Sequence, residues 1–180
     1  MVQSNDVLIV IPARLESSRL DKKLLRTIGS KSVIAHVCER VALCQDVADM
    51  LIATDSPEIL DHVSKLDYPV VQSKRAHRNG TERVAEVAYD HPQYKWIVNV
   101  QGDEPFINPE DIRSLISALK NDNTVASLYT AIKDDKAAES QSVVKVVFDH
   151  QHYALDFARL PFDKKQNYQH IGVYGFERDV

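Results

Sequence analysis

The chain has 180 residues and a composition that limits its possible functions. Its net charge is −4, whereas a protein that grips a nucleic-acid helix needs a basic surface that releases counterions, so we expect no nucleic-acid partner. No apolar run approaches membrane-spanning length and the N-terminus lacks a signal core, so we expect a cytoplasmic protein without membrane insertion. The length fits a single domain over residues 1–180.

The first predicted element is a buried strand that runs into a basic loop. Residues 7–11 are consecutive β-favouring apolar residues, which is typical of a central parallel strand covered on both faces, and we expect Pro12 to end it. In open α/β sheets, ligands bind at the carboxyl ends of strands, so the basic side chains that follow are candidates for ligand binding. A solvated basic loop is the alternative interpretation. These basic residues are Arg14, Arg19, Lys22 and Lys23.

Helix and strand patterns then alternate along the chain. The stretch from Ser32 to Leu43 has helical apolar periodicity, with Cys38 on its apolar stripe as a small core residue. Ser56 and Asn79 stand where helix N-caps are expected, and Asn79 is followed three residues later by a glutamate, as in a capping box. The alternation predicts βαβ units and a parallel sheet. The other predicted elements are the strands Met50–Ala53, Pro69–Gln72 and Trp96–Val100, and the helices from Ser56 to about Leu66, from Asn79 onward and from Asn108 to Leu119.

From Val125 onward the pattern changes to strands without long helices between them. This change predicts hairpins or a mixed sheet edge. The polar interval from Lys133 to Ser142 is expected to be a solvated loop. The predicted strands are Val125–Ile132, Val143–Phe148, Tyr153–Ala158 and His170–Phe176.

A carboxylate follows the buried strand that ends at Val100. Asp103 comes directly after Gly102, in a turn that Pro105 helps to fix. A carboxylate there can hold Mg²⁺ next to substrate phosphates, although an aspartate that caps its own turn is the more common case. Basic groups at one strand end and an acid at another suit phosphoryl or nucleotidyl transfer, because cations neutralise phosphate charge and a metal aligns the phosphates.

Several sequence motifs occur in chain order. They are I-P-A-R-x-x-S-S-R-L at residues 11–20, A-T-D at 53–55, H-x-x-G-T-E-R at 77–83, V-N-V-Q-G-D-E-P at 98–105, V-V-K-V-V at 143–147 and H-I-G-V-Y-G-F at 170–176. Together they resemble the 3-deoxy-manno-octulosonate (Kdo) cytidylyltransferases, the CMP-Kdo synthetases of lipopolysaccharide synthesis. The resemblance implies a Rossmann-like nucleotide-diphosphosugar transferase fold and a homodimer. It also implies a reaction that joins CTP to a Kdo-like sugar acid and releases pyrophosphate, with Mg²⁺ as cofactor.

The resemblance further implies roles for individual residues. The expected catalytic residues are Arg14, Lys23 and Asp103, of which Asp103 would hold the metal. The nucleotide site is expected at Arg14, Arg19, Lys23, Gly80, Thr81 and Gln101. The sugar site is expected at Gln101, Arg159, His170 and Tyr174.

Several positions depart from the family pattern. The family loop usually reads L-P-G-K-P-L, whereas residues 20–25 here read L-D-K-K-L-L, so both prolines and the glycine are missing and Asp21 puts a negative charge beside Lys23. Asn79, Ala158 and Gln169 replace two hydroxyl groups and an arginine. Family members also continue for several tens of residues, to an aspartate that is a second metal ligand. The alternative hypothesis is therefore a shortened, catalytically inactive paralogue that binds nucleotide or a partner protein, and the exact sugar acid stays open.

Overall fold

The computed structural model describes residues 6–16, 20–44, 47–120, 124–161 and 168–180. The chain divides into a large unit, Met1–Ala126 with Val173–Val180, and a small unit, Ser127–Gly172. In chain order the elements are β1 (Val7–Ala13), a 3₁₀ turn (Lys23–Leu25), β2 (Thr27–Ile28), β3 (Lys31–Ser32), α1 (Val33–Ala42), β4 (Asp49–Thr54), α2 (Pro57–Ser64), β5 (Val70–Gln72), α3 (Gly80–Asp90), β6 (Trp96–Val100), α4 (Pro109–Lys120), β7 (Val125–Ala131), α5 (Asp135–Glu139), β8 (Lys145–Phe148), β9 (Ala154–Ala158) and β10 (Tyr168–Glu177).

The large unit is organised around β1, in which every residue is buried. β4 lies parallel to β1 on one side, and β6 lies parallel to it on the other. β5 continues the sheet beyond β4, and residues 173–177 of β10 run antiparallel to β6. The predicted α/β fold with a mostly parallel sheet is therefore confirmed.

The carboxyl end of β1 differs from the prediction that Pro12 ends the strand. β1 continues through Ala13, because its pairing with β4 extends to that residue. On the other side, the pairing with β6 stops where Val10 faces Asn99. A proline, which has no backbone N–H, is tolerated where one side of a strand is unpaired. β1 and β6 therefore separate at this end of the sheet.

The helices of the large unit begin where the sequence predicts them. Before α1, α2 and α3, a capping side chain accepts a hydrogen bond from the backbone N–H three residues later. These capping residues are Ser32, Ser56 and Asn79. Glu82 closes the predicted capping box slightly outside its usual place, because its carboxylate accepts from the backbone N–H of Arg78 at 3.1 Å.

The apolar faces of these elements supply the core of the large unit. Leu8 and Val10 of β1 pack with Val84 and Val87 of α3. Cys38 is fully buried, as its place on the apolar stripe predicts, and burial raises the pKa of its thiol to about 12. None of the described helices is both long enough and apolar enough to cross a membrane.

The small unit is an antiparallel sheet, in agreement with the predicted change of pattern. β8 lies between β9 and the first residues of β10, and β7 pairs with β10. The predicted loop over residues 133–142 instead contains α5. Asp134 caps this short helix, since its carboxylate accepts a hydrogen bond from the N–H of Ala137 at 2.7 Å. A helix this short leaves no apolar periodicity for sequence analysis to detect.

Candidate active site

A cleft opens at the carboxyl ends of β1 and β6 in the large unit. The residue after β1, the 3₁₀ turn and the loop after β6 all contribute to it. The cleft brings together Arg14, Lys23, Gln101 and Asp103, for which the sequence predicts contacts with CTP or a metal. Its position agrees with the general location of ligand sites in open α/β sheets. The lining consists of Pro12, Arg14, Lys23, Leu24, Gln101, Gly102 and Asp103.

An ion pair joins two walls of the cleft. Nζ of Lys23 lies 2.6 Å from Oδ2 of Asp103, although the two residues are 80 positions apart in the chain. The side chains remain 38% and 44% exposed, so the pair stabilises the fold by at most about 1 kcal/mol. Such a pair opens easily. The ammonium group can then bind a phosphate, and the carboxylate can bind another cation.

Arg14 adds a second positive charge to the cleft. It directly follows β1 and is exposed. Among the residues that the structure describes, its guanidinium has no hydrogen-bond or ion-pair partner. A guanidinium in this state is suited to bind phosphate oxygens, which it can contact with two N–H groups at once. Arg19, the third predicted phosphate ligand, lies outside the described residues.

Two glycines allow the walls of the cleft to approach each other closely. A Cβ atom on Gly80, the first residue of α3, would lie 3.2 Å from Cγ of Pro12 and 3.4 Å from Oε1 of Gln101. A Cβ atom on Gly102 would lie 3.1 Å from the carbonyl oxygen of Pro12 and 3.2 Å from Cδ1 of Leu24. A side chain at either position would therefore push the start of α3 or the loop after β6 away from β1.

The remaining predicted site residues of the large unit lie close to Gly80 or along the sheet. Nε2 of Gln101 donates to Oδ1 of the fully buried Asn99 at 3.2 Å, which fixes the amide and leaves Oε1 towards Gly80. Thr81 is exposed at the second position of α3 and is not part of the cleft lining. Tyr174 of β10 pairs with Asn99 across the sheet, and burial raises the pKa of its phenol.

The other two residues predicted to bind the sugar lie in the small unit. Nε2 of His170 lies 2.7 Å from Oγ of Ser127, and burial lowers the pKa of this histidine. Arg159 is exposed, and its guanidinium donates to the carbonyl oxygen of Gln141 at 2.9 Å. The carbonyl oxygen of Arg159 in turn accepts a hydrogen bond from Nζ of the fully buried Lys145 at 2.9 Å. The backbone and the side chain of Arg159 are therefore both held.

Known proteins are similar to this chain over most of its length. Residues 8–180 match the family described as Cytidylyltransferase. The 3-deoxy-manno-octulosonate cytidylyltransferase of Escherichia coli is 38% identical over 180 residues, which cover 96% of this chain and 72% of that protein. The enzyme of the same name from Methylococcus capsulatus is 38% identical over 193 residues, covering 95% of this chain and 74% of that protein. The chain belongs to the 3-deoxy-manno-octulosonate cytidylyltransferase family.

A solved structure agrees with this assignment. The structure of CMP:2-keto-3-deoxy-manno-octonic acid synthetase complexed with CTP matches with a TM-score of 0.87 at 36% identity, covering 97% of this chain and 75% of that one. A 4-diphosphocytidyl-2C-methyl-D-erythritol synthase from Anaerococcus prevotii matches with a TM-score of 0.62 at 20% identity, which shows a shared fold alone. The chain is a nucleotidyltransferase of the 3-deoxy-manno-octulosonate cytidylyltransferase type, and the predicted family resemblance is confirmed.

The loop before Lys23 departs from the family pattern at a position where the backbone is strained. Lys22 stands where the family usually has glycine, and its backbone is left-handed with φ 50°, which costs an L-residue about 1–2 kcal/mol. Its Nζ lies 2.9 and 2.8 Å from the two carboxylate oxygens of Glu58 at the start of α2. The hydrogen bond to Glu58 raises the pKa of Lys22, and the charge of Asp21 raises it further as a smaller effect. The ion pair with Glu58 offsets part of the strain in this loop.

Asp103 is the residue of the cleft that could hold a metal. Its carboxylate already attracts a cation, the ammonium group of Lys23. Carboxylate oxygens are ligands that Mg²⁺ prefers, and Mg²⁺ commonly takes one or two protein carboxylates together with phosphates and water. Among the described residues, no three His, Cys, Asp or Glu side chains gather into a metal-binding group. Asp103 therefore fits a metal whose other ligands come from a bound nucleotide.

The structure joins Arg83 and Asp55, two residues without a predicted role, next to the cleft. Arg83 is only 3% exposed, and its Nη2 lies 2.5 Å from Oδ2 of Asp55. Its Nη1 donates to the carbonyl oxygen of Ala13, the last residue of β1, at 2.9 Å. Both residues belong to motifs noted above, A-T-D and H-x-x-G-T-E-R, and those motifs were the only signal in the sequence that could have indicated them.

Proposed function

We propose that this chain transfers the cytidylyl group of CTP to a Kdo-like 2-keto-3-deoxy sugar acid and releases pyrophosphate, for the synthesis of lipopolysaccharide or another surface polysaccharide. The observation that carries the proposal is the convergence of Arg14, Lys23 and Asp103 in one cleft. The names of the relatives, and the matching structure complexed with CTP, support CTP as the nucleotide and Kdo as the type of acceptor.

The proposed reaction requires positive charge around the phosphates. The anomeric hydroxyl of the sugar acid attacks the α-phosphorus of CTP, and its oxygen forms the new P–O bond. The bond from the α-phosphorus to the bridging oxygen breaks, pyrophosphate leaves with those electrons, and the hydroxyl proton passes to solvent. Arg14 and Lys23 bind phosphate oxygens and stabilise the charge that builds there and on the pyrophosphate. Arg19 is proposed to join them, and Gly80, Thr81 and Gln101 to contact the nucleotide.

Asp103 is proposed to hold Mg²⁺ together with the phosphates of CTP. When bound, the ion neutralises phosphate charge and aligns the phosphates for displacement. The contribution of the chain is an exchange of partners. Asp103 gives up the ammonium group of Lys23, which then turns to a phosphate, so that no charge in the cleft is left without a counter-charge.

The sugar acid is proposed to contact Gln101, Arg159, His170 and Tyr174. Arg159 supplies a cation for the carboxylate of the sugar acid, with which a guanidinium forms paired hydrogen bonds. His170 has a lowered pKa because it is buried, so at neutral pH it offers a hydrogen bond and no charge. Tyr174 has a raised pKa and therefore keeps its phenol proton.

The proposal is tested by measuring CTP binding and turnover on the same protein. Titration calorimetry with CTP, with and without Mg²⁺, is expected to show binding that Mg²⁺ strengthens. Pyrophosphate release is then measured with Kdo, with another 2-keto sugar acid and without acceptor. Release that depends on Kdo supports the proposal. Tight CTP binding without release favours the second candidate, a protein that binds nucleotide without turnover, and no CTP binding refutes both.

A homodimer through the small unit is part of the proposal. β9 is the last strand at its side of the sheet and pairs with β8 alone among the described strands. Leu155 and Phe157 on this strand are 68% and 47% exposed. Exposed apolar side chains on an edge strand are typical of an interface, and a second copy of this chain is the proposed partner. A cytoplasmic location is also part of the proposal.

A further inference from the structure

The ion pair of the buried Arg83 with Asp55 has no part in the reaction described above, although Arg83 binds the last residue of the strand that Arg14 follows. We propose that Arg83 is a positioning residue, which holds Arg14 in place for the phosphates of CTP by binding the carbonyl group of Ala13. This inference rests on the proposed function, in which Arg14 binds those phosphates.

The guanidinium of Arg83 joins three elements at the end of the sheet where the cleft lies. It projects from α3, donates through Nη1 to the carbonyl oxygen of Ala13 at 2.9 Å and contacts the carboxylate of Asp55 through Nη2 at 2.5 Å. Ala13 is the last residue of β1, and Asp55 directly follows β4. Because a guanidinium is planar and its N–H groups are fixed relative to each other, one side chain can set the distance between these two strand ends.

The end of β1 needs such an anchor, because half of its sheet pairing is missing there. The register with β6 ends at Val10, so at Ala13 the strand is paired with β4 alone. Arg14 follows at once, and its side chain has no partner among the described residues. The location of the Arg14 guanidinium is therefore set through its backbone. The hydrogen bond from Arg83 to Ala13 fixes that backbone at the adjacent peptide group.

The two members of the pair differ in what their loss would do. Arg83 is 3% exposed, whereas the side chain of Asp55 is 34% exposed. Removing Asp55 leaves a buried charge without a counter-charge, which is strongly destabilising. Removing Arg83 leaves a carboxylate that water can reach, but the anchor on Ala13 is gone. The pair therefore allows a loss of stability to be separated from a loss of positioning.

The test compares Asp55→Asn with Arg83→Met by calorimetric titration of CTP with Mg²⁺ and by thermal unfolding. Asp55→Asn is expected to lower the unfolding temperature more and to keep CTP affinity near that of the wild type. Arg83→Met is expected to weaken CTP binding about tenfold, within the range for coupled neighbouring residues. In an Arg14→Ala background, Arg83→Met is expected to have little further effect, because the residue it positions is absent. Arg78→Met is the control, since Arg78 forms an exposed ion pair with Glu82 at the start of the same helix.

Two results would overturn the inference. One is an Arg83→Met protein that binds CTP as tightly as the wild type, and the other is a loss of affinity that persists in full without Arg14. If Arg83→Met does not fold, the double variant Arg83→Met with Asp55→Leu replaces both charges by apolar groups, which commonly preserves stability. It is expected to show the same loss, and wild-type affinity there would also overturn the inference. A wild-type protein that fails to bind CTP refutes the proposed function instead.

Discussion

The two units both use a buried cation to bind a backbone carbonyl group at or next to a predicted arginine, Arg14 or Arg159, but they bury their sheets very differently. In the large unit β1 and β6 are buried at every residue, whereas in the small unit no residue of β9 is buried. In each unit a buried cation holds backbone carbonyl groups beside a predicted site. Arg83 holds Ala13 with Asp55 as counter-charge, and Lys145 holds Arg159 and two further carbonyl groups.

This difference indicates a division of labour between the units. A buried sheet fixes the positions of charges at its edge, which suits the large unit to bind and align the phosphates of CTP. The small unit instead depends on ring contacts among Tyr129, Phe148 and Tyr168, whose centroids lie 4.6 to 5.3 Å apart. Its outer strand keeps apolar side chains exposed. On the proposed function, the small unit thus offers a surface for a second copy of the chain, and the large unit offers a preformed nucleotide site.

Asp103→Ala is expected to have the largest effect, and it tests whether the preformed site lies in the large unit. We expect kcat to fall about 1,000-fold, the upper part of the range for losing one group that stabilises charge in the transition state. Stability should change by less than about 1 kcal/mol, because the pair with Lys23 is exposed. Steady-state pyrophosphate assays and thermal unfolding measure the two effects. Asp61→Ala removes an even more exposed pair, with Lys65, away from the cleft and serves as the control. An unchanged kcat would remove Asp103 from the metal site.

Leu155→Asp tests whether the exposed surface of the small unit is covered by a second copy. We expect the dimer to weaken by about 2 kcal/mol, as for a central interface residue, because a charge would replace an apolar contact. Light scattering over a dilution series measures the shift from dimer to monomer. Tyr89→Asp is the control, since Tyr89 is an exposed aromatic residue on α3 of the large unit. If both variants remain dimeric, β9 is not the interface.

How much the sequence predicts also differs between the two units. In the large unit β6 has the predicted bounds, and the predicted caps Ser56 and Asn79 are confirmed, because strand runs and caps are local signals. The predicted end of β1 at Pro12 was wrong, since a local rule does not show which side of a strand loses its partner. In the small unit α5 was missed because it is too short to have a period.

The candidate site could be predicted in part for the same reason. Motifs placed Arg14 and Asp103 after strand ends, and Lys23 follows in the basic loop after the first strand. A parallel sheet brings such strand ends to one edge. The bond from Arg83 to Ala13 was not predictable, because it spans 70 positions and ends on a backbone carbonyl group that no side-chain pattern marks. The burial of Lys145 was equally hidden, since a lysine among valines is expected to extend to water.

Lys22→Gly compares loop strain in the large unit with the benefit of an exposed ion pair. Glycine relieves the left-handed backbone at this position, whereas Lys22→Ala keeps the strain, and both variants lose the contact with Glu58. We expect the glycine variant to be more stable than the alanine variant by about 1 kcal/mol, and close to the wild type because a pair this exposed contributes little. Urea unfolding measures the three proteins. Equal stability of the two variants would mean that the left-handed backbone at this position carries no strain.

The smallest expected effect is the pH dependence that His170 gives to the small unit. Burial lowers the pKa of His170 below its ordinary value of 6.5, so protons bind the unfolded chain more readily than the folded one. The stability that follows from this shift is complete above about pH 6.5 and is lost as the pH falls through the lower pKa of the folded protein. We therefore expect His170→Gln to lose less stability than the wild type when urea unfolding is compared between about pH 7.5 and about pH 5. His150→Gln, at an exposed position near the end of β8, is expected to behave as the wild type. If His170→Gln is as sensitive to acid as the wild type, other groups determine that sensitivity. The interior of the small unit would then be open enough to water for His170 to titrate normally.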